Sequence, residues 1–206
     1  MRNIWTWIAA IVTVFMAITP QNASANMMGM PRALGTALQH ISFRTPTLAP
    51  MAFTQFCLRY ADQCKPRRMI FRGGAVKLTA ERMEDLKEVN EVVNAGIAPE
   101  PNYQGLVGEK WLIAPARGDC NDYAVTKRSE LLDRGWPARA LLLSEVVTGS
   151  GEHHLVLVVR TRNGDVVLDN LTHAIRPWSK APYRWVRIQT PRNPNYWATI
   201  AGRLAA

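Results

Sequence analysis

Residues 118–135 read Gly-Asp-Cys-Asn-Asp-Tyr-Ala-Val-Thr-Lys-Arg-Ser-Glu-Leu-Leu-Asp-Arg-Gly, and this stretch decides the fold. From Cys120 to Arg134 it contains neither Gly nor Pro. Ala124, Leu131 and Leu132 supply apolar positions, and Gly135 stands where a left-handed residue ends a helix. The stretch therefore predicts a helix with Asp119 at or near its N-cap. That helix carries a cysteine in its first turn, beside unpaired N–H groups at the positive end of the dipole. A thiol's pKa falls in such a place and its thiolate becomes a nucleophile.

Downstream come three apolar runs, Ala138 to Val147, His154 to Thr161 and Val166 to Asn170. Gly149-Ser150-Gly151 joins the first two, and Asn163-Gly164 is a hairpin signal between the second and third. A fourth run, Tyr183 to Gln189, alternates as a strand does. Upstream, Thr79 is a plausible N-cap. Glu81 and Glu84 follow it, and Met83, Leu86, Val89 and Val93 recur at helical spacing up to Gly96. Pro99, Pro101, Gly105 and Gly108 make the connection to Trp111 and Pro115 a loop, and residues 26–55 read as an irregular lead-in. Helices first and antiparallel strands afterwards indicate an α+β layout in which the cysteine helix packs on an antiparallel sheet.

At the N-terminus, Met-Arg precedes an apolar run from Ile4 to Ile18 and then Ala23-Ser24-Ala25. This is the pattern of a secretory signal over residues 1–25, with cleavage near Ala25 and a single domain over 26–206. The apolar run also approaches the lower length limit of a membrane anchor, but the small-residue cleavage site favours removal. Export places the chain in the periplasm or outside the cell. The net charge of +9 comes from scattered basic residues, and an exported chain without a recognisable binding motif is a poor nucleic-acid partner. Three cysteines cannot all pair within one chain. Cys57 and Cys64 are close enough in sequence to close a small loop in an oxidising compartment, which leaves Cys120 free.

A thiol nucleophile needs an imidazole to move its proton and a third group to orient the ring. His154 opens the run Leu155-Val-Leu-Val-Val, and Asp169 ends the strand after the hairpin. A two-residue turn at Asn163-Gly164 sets Asp169 opposite Val158 and His154 opposite His173. The pair then shares a face but sits four positions out of register. A turn centred on Thr161-Arg162 brings the two directly opposite. His153 points to the other face in either register. A metal site built from Cys120, His153, His154 and His173 is the rival use of these residues, but no paired ligand spacing supports it.

These residues resemble the bacterial transglutaminase-like cysteine peptidases. The resemblance lies in Gly118-Asp-Cys-Asn-Asp-Tyr-Ala-Val-Thr-Lys-Arg128 with Glu130-Leu-Leu and Gly135, in His154-Leu-Val-Leu-Val-Val, and in Val167-Leu-Asp-Asn-Leu171. Val89-Asn90, Val93-Asn94, the loop leading to Trp111 and the Cys57 to Cys64 spacing match the family as well. The resemblance implies a papain-like fold whose Cys, His and Asp are Cys120, His154 and Asp169. Its best-known branch is a periplasmic, calcium-dependent protease that releases a large biofilm adhesin. Acidic residues around the nucleophile hold the ion there, and the matching positions here are Asp119, Asn121 and Asp122. An amide at 121 is a weaker partner for a hard cation than a carboxylate, and Asp119 and Asp122 also suit a helix N-terminus. A protein substrate follows from the resemblance, and a membrane-bound regulatory receptor only by analogy. Transfer of the acyl group to an amine, and a non-catalytic binding module on the same fold, are the alternatives to hydrolysis.

Overall fold

A computed structural model describes residues 40–66, 75–102 and 105–201. The signal expected over residues 1–25 lies outside them. Among these residues the α-helices are α1 (Met51–Arg59), α2 (Ala61–Cys64), α3 (Ala80–Gly96), α4 (Gly105–Gly108) and α5 (Cys120–Asp133). The strands are β1 (Phe43–Thr47), β2 (Ala98–Pro99), β3 (Arg117–Gly118), β4 (Leu141–Val147), β5 (His153–Thr161), β6 (Gly164–Leu168), β7 (Arg176–Pro177), β8 (Arg184–Gln189) and β9 (Trp197–Ile200). Among the described residues, no helix is long and apolar enough to cross a membrane.

Seven strands form one sheet in the order β1-β9-β8-β4-β5-β6-β7, and every neighbouring pair is antiparallel. Helix α5 lies on β5 and β4 with α3 beside it, the α+β arrangement expected from the order of elements. Leu141, Leu143, Leu155, Leu157 and Val159 point to the helices and pack with Leu86, Val89, Val125 and Leu131. Leu142, Val146, Val156, Val158 and Val167 point the other way and pack with Trp178, Trp185 and Ile188. The central strand is thus covered on both faces, which is why its sequence is continuously apolar and does not alternate. Full burial of each such leucine contributes about 2 kcal/mol.

Two local expectations are corrected. The lead-in expected to be irregular contains β1 and the first half of α1. Pro46 hides the strand from a sequence reading, but β1 is an edge of the sheet, where a missing N–H does no harm. Helix α1 starts directly after Pro50 and buries Ala52, Phe53 and Phe56. The Cys57–Cys64 disulfide forms as expected and ties α1 to α2.

The hairpin register is the second correction. Thr161 pairs with Gly164 and Val158 with Val167, so the turn is Arg162-Asn163 and neither expected register holds. The Thr161 hydroxyl donates to the Gly164 carbonyl and accepts from the Asn163 N–H, while the Arg162 N–H donates to the Val76 carbonyl 2.7 Å away. Gly164, at φ +133°, opens β6 in a conformation that other residues rarely adopt. In this register Asp169 stands two positions from the point opposite His154, on the same face. That diagonal is within reach of long side chains.

Candidate active site

Helix α5 begins as its sequence dictates. The Asp119 side chain accepts the Asn121 N–H at 2.9 Å, and the Asp122 Oδ2 accepts the Asp119 N–H at 3.0 Å, closing a reciprocal cap. Asp122 Oδ1 takes the Leu112 N–H at 2.7 Å, which pins the preceding loop to the helix. Gly118 permits this approach, since a Cβ there would stand 2.3 Å from Asp122 Oδ2. The Gly135 that stops the helix has φ +81°. Burial pushes the Asp122 carboxyl up to about 6, the neighbouring Asp119 and Glu109 charges add to the rise, and the two backbone N–H groups offset only part of it.

At the end of β5 beyond its pairing with β6, His154 Nε2 lies 2.8 Å from Asp169 Oδ1, with both residues buried. Asp169 Oδ1 also accepts the Leu171 N–H at 3.0 Å, and Oδ2 accepts the Tyr183 hydroxyl. Burial alone would raise the Asp169 carboxyl. The His154 and Tyr183 hydrogen bonds, the His154 charge and the Leu171 N–H outweigh it and hold the group below its ordinary value. Tyr183 is itself pushed up, by burial and then by Asp169. Nothing in the linear sequence pointed to Tyr183 beyond its place at the head of a strand-like run. The fold brings its ring to 5.7 Å from that of His154.

The β5–β6 ladder ends at Leu157 and Leu168, so the end of β5 that carries His153 and His154 runs free of β6. A cavity of about 740 Å³ opens there, with Trp111, Cys120, Tyr123, His153, His154 and Leu171 in its lining. Cys120 is half-buried, and among the described residues no hydrogen bond joins its thiol to the His154 ring. The expected fall in its pKa is reversed: burial pushes the thiol up to about 12, and Asp119, Glu109 and Asp122 add to the rise. The Leu155 backbone N–H, next to His154, acts in the opposite sense and is outweighed. Desolvation together with three carboxylates exceeds what the Leu155 N–H supplies.

His153, on the other face of β5 as strand alternation requires, is held by Glu145, which also binds Arg187. His173 offers its carbonyl to Asn90. Among the described residues no three His, Cys, Asp or Glu side chains are placed to hold a metal. Of the acidic positions matched to a calcium site, Asp119 and Asp122 already serve the helix cap. Asn121 turns its Nδ2 to Glu109 Oε1 at 2.7 Å, and that oxygen also takes the Trp111 indole N–H. Asn121 thus turns its amide NH₂ group toward Glu109, and an amide oxygen is a weaker partner for a hard cation than a carboxylate. Glu109 lies in the loop before Trp111, and its role had no counterpart in the spacing of the sequence.

The family profile described as bacterial transglutaminase-like cysteine proteinase BTLCP matches residues 43–204. No curated protein sequence matches the chain. Among solved structures, calcium-bound LapG of Legionella pneumophila is 20% identical with a TM-score of 0.50, the match covering 63% of this chain and 76% of that one. A second LapG structure from Legionella pneumophila is 22% identical with a TM-score of 0.45 and covers 54% of this chain. The match spans 65% of that protein's length, just under two thirds. EGTA-treated LapG is 20% identical with a TM-score of 0.48, covering 58% and 71%. At this identity the likeness is one of fold.

Proposed function

The chain belongs to the bacterial transglutaminase-like cysteine proteinases, and from that premise we propose that Cys120, His154 and Asp169 hydrolyse peptide bonds of a protein substrate outside the cytoplasm. The observation that carries this reading is the His154–Asp169 bond at the edge of the cavity that Cys120 also lines. With Nε2–H donated to the carboxylate, Nδ1 is the ring nitrogen left to take a proton. The thiol rests protonated, so its proton passes to Nδ1 as Sγ attacks the carbonyl carbon, in place of a standing thiolate–imidazolium pair. Asp169, kept ionised by Tyr183 and Leu171, stabilises the imidazolium that forms. The Cys120 backbone N–H at the head of α5 helps hold the oxyanion.

Imidazolium Nδ1–H then protonates the leaving amine, leaving an acyl thioester on Cys120. Water attacks that thioester while His154 takes its proton. The acid product departs and the thiol recovers its hydrogen. The Cys57–Cys64 disulfide supports an oxidising compartment, the periplasm or beyond, in agreement with the signal read at residues 1–25. A cell-surface adhesin is the substrate class that the sequence resemblance implies.

The test is cleavage of fluorescently labelled casein, and of surface proteins shed from intact cells, by the mature protein and its Cys120→Ala variant. Loss of both activities in a variant with a native circular dichroism spectrum is expected. Retained cleavage would overturn the assignment of Cys120. Mass analysis with an added primary amine separates hydrolysis from acyl transfer, because only transfer leaves the amine on the product.

A further inference from the structure

Three side chains form a row across β8, β4 and β5 at the cavity. Arg187 on β8 stands directly opposite Glu145 on β4, and His153 on β5, which pairs with Val147, is the diagonal neighbour of Glu145. Glu145 lies two positions after Leu143 and His153 two positions before Leu155, so the row shares the face that those leucines turn to the helices. Helix α5 starts at Cys120, and the row flanks the cavity at its head: His153, Glu145 and Arg187 line it together with Cys120 and His154.

The contacts within the row fix one exposed ring. Glu145 Oε1 lies 2.5 Å from His153 Nδ1, Glu145 Oε2 accepts from Arg187 Nε at 2.5 Å, and Arg187 Nη1 donates to the Leu48 carbonyl at 2.8 Å. The support is largely covered, with the Glu145 side chain 12% and that of Arg187 25% exposed, whereas the His153 side chain is 68% exposed. The Glu145–Arg187 pair is complete without an imidazole, and a contact from so exposed a ring contributes little to folding. What it supplies is orientation. A carboxylate only accepts, so Nδ1 carries the hydrogen and the neutral ring presents Nε2 as an acceptor. Among the described residues that nitrogen has no partner.

In the reaction proposed above His154 gives its proton to the leaving amine, so the departing segment begins against His154. His153 is the next residue outward, where β5 starts. We propose that His153 is a specificity-determining residue on the leaving-group side of the cleft, its Nε2 accepting a main-chain N–H of the departing segment. The substrate it favours is an extended peptide that continues past the scissile bond, and proline, which lacks the N–H, is disfavoured at the position facing the ring. The inference deepens the peptidase reading and rests on it for the direction in which the substrate runs.

The probe is N-iodoacetyl-trialanine amide, whose chain runs from the thiol in the direction of the departing segment. Its rate of Cys120 alkylation is divided by that of iodoacetamide, in the mature protein and in His153→Phe. The ratio is expected to fall about five- to tenfold in the variant, the worth of one hydrogen bond. The same probe N-methylated at every amide should lose its advantage in the wild type. Trialanyl chloromethyl ketone, whose chain runs in the acyl direction, should alkylate both proteins alike. An unchanged ratio in His153→Phe, an advantage that survives N-methylation, or an equal fall with the chloromethyl ketone overturns the proposal. The exposed position of His153 lets the variant keep the fold. Neither reagent requires a peptide bond to be cut, so this failure is separable from failure of the peptidase reading, which would appear as cleavage by Cys120→Ala.

Discussion

Asp122 and Asp169 are both buried aspartates of one site, yet the fold puts them to opposite uses. Asp122 accepts from two backbone N–H groups, those of Leu112 and Asp119, which fix geometry and carry no proton that chemistry can use. Asp169 accepts from an imidazole, a phenol and one backbone N–H. Burial wins at the first, and its carboxyl rises to about 6, whereas titratable donors win at the second and its carboxyl falls. The donors around a buried carboxylate, more than its burial, decide whether it is scaffold or machinery.

The sharpest way to break this contrast is Asp169→Asn. The amide keeps the shape but cannot stabilise the imidazolium, so kcat/KM for peptide hydrolysis should fall by about 10³- to 10⁴-fold, and the unfolding midpoint should fall too because one amide oxygen replaces two carboxylate acceptors. A fall below tenfold would remove Asp169 from the mechanism. Next in size is the opposite pH dependence of the two groups. The unfolded chain releases the Asp122 proton near pH 4, whereas the folded chain holds it to about 6. Its contribution to stability therefore falls as pH rises between those values and stays lost above them, by about 2–3 kcal/mol. Asp169 has the reverse sign: its contribution is present above about pH 4 and is lost as pH falls through the lowered folded value. Urea unfolding at pH 4 and pH 7 should show the Asp122 slope in the wild type and not in Asp122→Asn. A slope that survives in the variant belongs to another group.

Tyr183→Phe removes one donor from Asp169 and none from Asp122. A loss of about tenfold in kcat/KM, near 1.4 kcal/mol, is expected, with Asp169 titrating higher than in the wild type. The smallest effect is that of calcium. A cation held at a hundred times its Kd would add about 2.7 kcal/mol to folding, a shift of several degrees in Tm. With Asn121 donating to Glu109 and Asp122 closed by backbone N–H groups, neither calcium nor EGTA should move Tm by more than about 1 °C. A larger shift on adding calcium would show that the cap can open into a site.

Much of this was legible before any coordinates. Helix α5, its Asp119 cap and its Gly135 stop were readable because each rests on residues within a turn of one another. Helix α3 likewise starts at Thr79, whose hydroxyl accepts the Arg82 N–H. The hairpin was misread because Asn163-Gly164 is a strong turn signal, whereas the actual turn is set by the Thr161 hydroxyl and by the distant Val76 carbonyl. Strand β1 was missed because Pro46 is acceptable only at a sheet edge, and edge position is a property of the assembled sheet.

The sequence by itself determined the α+β layout, the cap that presents Cys120 and the disulfide pairing, because periodicity, capping chemistry and cysteine number act locally or by composition. Only the tertiary structure decided the hairpin register, the Tyr183 hydroxyl on Asp169 and the amide turned toward Glu109. It also reversed the expected fall in the Cys120 pKa. Desolvation and the field of charges far apart in sequence depend on what the whole chain packs around a group, and a linear pattern does not encode them.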